Sequence, residues 1–145
     1  MIIPDVNLLV YAYNLDAPFH YQAKQWWESC VGGSQPVAIP WVVALGYLRL
    51  MTSRVVLQQP MEMNTALGNL RCWLEQPSVH ILQPGPRHIG ILSAFCEAGV
   101  LSGALLTDAH IAALAIEHQA VVHSNDSDFS RFPGLRWINP LRAKT

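Results

Sequence analysis

Hydrophobic and polar positions fall in blocks along this chain. Five short apolar runs, Met1–Pro4, Val37–Ile39, Val79–Leu82, Ala120–His123 and Leu135–Ile138, read as strands, because strands covered on both faces are apolar without alternation. The longer blocks between them have helical spacing. Val6–Leu15 places Val6, Leu9, Val10 and Tyr13 on one face until Pro18 interrupts, and Phe19–Cys30 predicts a second helix ending near Gly32-Gly33. Trp41–Thr52 is apolar nearly all round, which predicts a helix buried on several sides. Pro60 opens a helix over Met61–Glu75 that Pro77 stops, and the Pro84-Gly85-Pro86 turn leads into a helix from about Arg87 to Ala98, closed by Gly99. Thr107 reads as the N-cap of Asp108–His118, with Ile111, Leu114, Ala115 and His118 along one face, and Ser127–Phe132 as a brief helical turn.

Strands alternating with helices predict an α/β domain with a parallel sheet and helices on both faces. The chain shows no repeat, linker or low-complexity segment, so residues 1–141 read as a single domain and 142–145 as a short tail. In such a fold the strands end on one edge, and ligands bind outside those carboxyl ends. Four of the five aspartates follow apolar runs: Asp5 after Met1–Pro4, Asp108 after Ala104–Thr107, and Asp126 and Asp128 after Ala120–Ser124. Right-handed crossovers would bring Asp5, Asp108 and Asp126 to the same edge. A carboxylate cluster of that kind is costly without a cation and points to a hard, oxygen-liganded metal such as Mg²⁺ or Mn²⁺. Such an ion would support phosphodiester hydrolysis by water. Each aspartate also has a structural reading: Asp5 as a helix cap, Asp108 and Asp128 as charges favoured at helix N-termini, and Asp126 as an Asx turn.

Composition narrows the field. A net charge of −1 excludes a generic polycation, so any nucleic acid would be held by a local patch or through metal–phosphate contacts. With 51% hydrophobic residues, the chain has enough apolar surface for a core and a partner interface. The three cysteines are widely spaced, which argues against disulfides or a zinc knuckle and for reduced, mostly buried thiols in a cytoplasmic protein. No cationic leader precedes the first apolar stretch, and no apolar run approaches the ~20 residues of a membrane span. The six histidines lack metal-ligand spacing and read as structural or surface residues, and Trp26-Trp27 as packing residues.

Three stretches in order carry a resemblance. Ile3-Pro4-Asp5-Val6-Asn7-Leu8-Leu9-Val10-Tyr11 resembles the opening of PIN-domain nucleases. Thr107-Asp108-Ala109-His110-Ile111-Ala112-Ala113-Leu114-Ala115 resembles their central acidic helix, and Ser124-Asn125-Asp126-Ser127-Asp128-Phe129 their late acidic turn. Gly46–Thr52 and Phe132–Leu141 are similar to the VapC branch of bacterial toxins. The resemblance implies a PIN-like three-layer α/β/α sandwich with a mostly parallel sheet of about five short strands. It implies a Mg²⁺-dependent endoribonuclease toxin, with Mn²⁺ able to substitute, acting on tRNA or rRNA. It also implies a VapB-type antitoxin and assembly as a homodimer or toxin–antitoxin hetero-oligomer. By position, Asp5, Asp108 and Asp126 would be the principal catalytic carboxylates, Asp128 an additional metal-binding acid, and Asn7 and Ser124 polar groups that orient them. One position departs from the pattern. Many members carry a glutamate before the Phe/Tyr-Leu-Arg of the third helix, where this chain has Gly46, and that implies a site one carboxylate short. Glu117 does not replace it, because it lies half a turn out of phase with Asp108.

Two alternatives remain from the residues. A degenerate, catalytically weak PIN domain kept as a protein-binding module would also account for Gly46. A metal-dependent phosphatase would use strand-end aspartates too. It would want Asp-x-Asp, where this chain has Asp5-Val6-Asn7, and an interior lysine, where only Lys24 and Lys144 occur.

Overall fold

The computed structural model describes residues 1–142, so all but the first residue of the expected tail lies outside the described residues. Five strands, β1 (Ile2–Pro4), β2 (Val37–Pro40), β3 (Val79–Leu82), β4 (Val121–His123) and β5 (Arg136–Ile138), form one sheet in the order β3-β2-β1-β4-β5. Every neighbouring pair is parallel, as expected. Six α-helices connect them: α1 (Val6–Tyr13), α2 (His20–Val31), α3 (Trp41–Met51), α4 (Met63–Leu74), α5 (His88–Glu97) and α6 (Leu106–Glu117). The chain builds from β1 outward to β3, then returns through α5 and α6 to lay β4 on the other side of β1. Right-handed crossovers in the two directions put the two sets of helices on opposite faces. Accordingly α1 packs on both α2 and α3, α3 packs on α4, and α5 packs on α6.

Burial follows the strands. All of β1 and β2 is buried, whereas β5, at the edge, leaves Arg136 and Ile138 exposed. Tyr47, Phe129, Leu8, Leu9, Ile39 and Ile111 are among the largest fully enclosed side chains. Among the described residues no helix is long and apolar enough to cross a membrane.

Several local expectations are corrected. Helix α1 stops at Tyr13, because Asn14 is extended (φ −99°, ψ 104°), and Leu15 beyond it is 82% exposed. Helix α4 starts at Met63, since Glu62 is extended (φ −63°, ψ 143°) and the Met61 amide bonds back to the Met51 carbonyl. Trp41 and Leu45 show that α3 has one solvent face. Thr107 does not cap α6: a 3-10 turn at Gly103–Leu105 runs directly into the helix, which begins at Leu106 and encloses Thr107 in its first turn. Asp108 lies in that first turn, and the apolar run Ala104–Thr107 before it is helical rather than a strand. The buried side of α6 is also wider than one stripe, spanning Ala109 and Ile111–Ala115, because the helix is covered from several directions. The cysteines are unpaired, but Cys72 and Cys96 are exposed and only Cys30 is half-buried.

Candidate active site

Strands β1 and β4 are neighbours whose following segments diverge, one into α1 and the other toward β5. That divergence opens a crevice at their carboxyl ends, the usual ligand position in an open parallel sheet. Asp5 leaves β1 there. Its extended backbone caps α1, with Oδ1 accepting from the Val6 amide at 2.8 Å. Its Oδ2 accepts from the Ser124 hydroxyl at 2.6 Å. Ser124, which follows β4, has no exposed surface. Its oxygen also accepts from the Asp126 amide at 2.9 Å and from Asn7 Nδ2 at 3.3 Å. One hydroxyl thus has its donor and both acceptor positions filled, and it ties together residues 5, 7 and 126. The Ser124 backbone is itself held by the Ile138 carbonyl and the Trp137 indole.

Asp126 begins a 3-10 turn at Ser127–Arg131, its Oδ1 accepting from the Asp128 amide at 2.9 Å. Phe129 and Phe132, both buried, fasten that turn to the core. Asp108 enters from the first turn of α6. One carboxylate oxygen from each of Asp108, Asp126 and Asp128 lies within 4.8 Å of the others. Asp5 is not part of this tight trio, but its charge is felt by Asp108. Burial and the charges of Asp5, Asp126 and Asp128 push the Asp108 carboxyl up to about 6. Burial also raises Asp5, an effect opposed by its bonds from Ser124 and Val6 and reinforced by Asp126. The structural readings of Asp5 and Asp126 are therefore correct as well: both cap local structure and also meet the other acids.

The donor set is made of hard oxygen, and it carries more negative charge than its surroundings offset. Asn7 Oδ1 is buried with no hydrogen-bond partner, beside a serine that is already saturated. The residues present thus fit a divalent cation with oxygen ligands. Gly46, where the family glutamate was expected, is buried in α3, and an added Cβ would sit 3.3 Å from Val6 Cγ2. This places it beside the start of α1, one residue from Asp5. Glu117 lies elsewhere, accepting from the Gly85 and Arg87 amides.

Two further features belong to the site. Trp26 donates to His123 Nδ1 at 3.0 Å, and burial holds His123 down to about 4, so the neutral ring packs beneath the strand end. The His123 carbonyl accepts from the Asp5 amide at 2.9 Å. These partners are remote in sequence, and no local pattern couples them. Arg131 pairs with Asp128, Nε to Oδ1 at 3.3 Å. Its i,i+3 spacing from Asp128 was a signal available in the sequence.

This fold and acidic crevice define a class: the family model for the PIN domain matches residues 2–135. Ribonuclease VapC33 of Mycobacterium tuberculosis is 41% identical over 142 residues, covering 98% of this chain and 99% of the relative. Ribonuclease VapC37 of the same organism is 36% identical, covering 97% of each. The VapBC-1 structure from nontypeable Haemophilus influenzae superposes with a TM-score of 0.67 at 15% identity, covering 98% of this chain and 100% of that one. VapBC2 of Rickettsia felis, bound to a DNA fragment from its promoter, superposes at 0.66 with 20% identity over 96% and 98%. The chain belongs to the PIN-domain family and, within it, to the VapC branch.

Proposed function

We propose that this protein is a Mg²⁺-dependent endoribonuclease, the toxin of a toxin–antitoxin pair. The observation that carries the reading is the meeting of Asp108, Asp126 and Asp128 within 4.8 Å, beside a buried Asp5. Asp108, Asp126 and Asp128 would hold the cation, with Asp5 adding charge from the buried side. When bound, the cation would lower the pKa of a water and offset charge on the scissile phosphate. Ser124 holds Asp5 and the Asp126 loop in one register, and Asn7 holds Ser124. A misplaced carboxylate would weaken both metal binding and alignment. The Asp108 carboxyl, pushed up to about 6, is still mostly ionised at neutral pH and so open to a cation.

The test uses protein stripped with EDTA. Mg²⁺ or Mn²⁺ should restore cleavage of RNA and leave 5′-phosphate and 3′-hydroxyl ends. Ends bearing a 2′,3′-cyclic phosphate would implicate the RNA's own hydroxyl and overturn the mechanism.

The partner reading rests on exposed apolar surface. Trp27 and Tyr47 are buried, whereas Tyr21 is 69% and Trp41 45% exposed. A cavity of about 320 Å³ between α1 and α2 is lined by Ala12, Tyr13, Leu15, His20, Lys24 and Trp27, among others. An amphipathic antitoxin helix would bury such apolar anchors, while a basic side chain reaching the aspartates would displace the cation. The three free thiols agree with a reducing cytoplasm. Inhibition that persisted after every arginine of the antitoxin had been replaced would exclude that mode.

A further inference from the structure

We propose that Arg131 binds the phosphate backbone of the RNA at the active site, exchanging Asp128 for a phosphate when substrate arrives. This rests on the ribonuclease reading above and assigns a substrate contact to that same site. The crevice presents four carboxylates to a polyanion, so substrate binding requires a compensating cation near the acids. Among the described residues, Arg131 is the cation paired with a site carboxylate. Arg87 is committed to the Glu117 carbonyl, Arg136 to the Gln119 carbonyl, and Lys24 to Glu28.

The geometry suits an exchange. Asp128 has two claims on it, from Arg131 at 3.3 Å and from the trio that would hold the metal. A cation drawing on Asp128 weakens the ion pair and frees the guanidinium. Buried Phe129 and Phe132 bracket Arg131 and fix its backbone, while its side chain is 61% exposed. The head group can therefore swing while its origin stays beside the acids. A guanidinium has five donors in a planar fork that matches phosphate oxygens, and one long contact leaves most of them available.

Arg131→Gln separates this role from a structural one. Steady-state cleavage of a labelled single-stranded RNA should show KM raised ~10-fold with kcat within about twofold. The salt dependence of log KM should fall by about one phosphate contact. Calorimetric titration of the RNA-free protein with Mn²⁺ should give affinity equal to wild type or ~2- to 5-fold tighter, since a competing cation has gone. Arg131→Lys should recover the salt slope but not the full KM. Arg71→Gln on α4, by the opposite β3 edge, removes the same charge and should leave KM within about twofold. If Arg131 merely orders the turn, Mn²⁺ affinity and kcat fall with KM unchanged, which overturns the proposal. An unchanged KM and salt slope, or an equal effect of Arg71→Gln, overturns it too. Wild-type protein without metal-dependent cleavage would instead bring down the ribonuclease reading, and this contact with it.

Discussion

The two ends of helix α6 carry the same functional group in opposite circumstances. At its C-terminus, Glu117 is fully served. Its two oxygens accept from the Gly85 and Arg87 amides at 2.7 and 2.8 Å, and His118 stands 3.8 Å away. A Cβ on Gly85 would come within 2.6 Å of the carboxylate and push it from this position. These bonds hold the Glu117 pKa below the usual carboxylate range, against an opposing effect of desolvation. At the N-terminus, Asp108 faces three further acids, and its pKa is raised to about 6. Hydrogen-bond donors from its own chain make the first carboxylate a strut between α6 and the turn before α5. Their shortage leaves the second with charge that, on the proposed reading, a cation would offset. Electrostatic satisfaction, more than residue type, distinguishes the acids at the two ends of this helix.

The comparison breaks most visibly in catalysis. Asp108→Asn should lower metal-dependent RNA cleavage by about a thousandfold or more, through the lost stabilisation of transition-state charge. Glu117→Gln should stay within about threefold, measured at matched folded concentration. Equal losses at both ends would end the distinction. Thermal unfolding sharpens it next. Mn²⁺ at ~100 times its Kd should stabilise the wild type by about 2.7 kcal/mol. Glu117→Gln should keep that gain and Asp108→Asn should lose most of it. A full gain in Asp108→Asn would place the metal elsewhere.

Without metal the two ends should titrate with opposite signs. Asp108 has a raised pKa in the folded state, so the stability linked to it is complete below about pH 4 and is lost as pH rises through about 6. Apo Asp108→Asn should thus exceed apo wild type by about 1 kcal/mol at pH 7, after allowance for solvent screening. The two proteins should converge near pH 4. Glu117 has a depressed pKa, so its contribution is present above the unfolded-state value and fades as pH falls. Glu117→Gln should be less stable than wild type at pH 7, with the gap closing in acid. Denaturant melts across pH 4 to 8 check both slopes; gaps of the same sign would refute this account.

The smallest effect concerns Gly46. Gly46→Glu should tighten Mn²⁺ binding only when Val6 yields, because the new Cβ meets Val6 Cγ2 at 3.3 Å. Gly46→Glu combined with Val6→Ala should therefore bind Mn²⁺ several-fold more tightly than Val6→Ala alone. Glycine within a helix costs roughly 1 kcal/mol relative to alanine, so helix propensity favours the change. Unchanged affinity in the folded double variant would show that a carboxylate at this position does not reach the ion.

Much of this molecule is decided locally. Continuous apolar runs and 3.6-residue periodicity are properties of neighbouring residues, so the order of five strands and six helices could be read from them to within a residue or two at most boundaries. Parallel pairing then follows from connections too long for hairpins, and Asp5 and Asp126 necessarily emerge at one edge. Other features depend on which surfaces meet. Thr107 has the chemistry of an N-cap, yet a preceding 3-10 turn started the helix upstream of it, at Leu106, and moved Asp108 from the first helical position to the third. The Ser124 hydroxyl could be matched to Asp5, 119 positions away, only once β1 and β4 lay side by side. The same pairing set His123 against Trp26. Proton affinity is likewise a tertiary property: Asp108 and Glu117 are both plain acids in the sequence, and only burial, neighbouring charge and available donors raise it in one and lower it in the other.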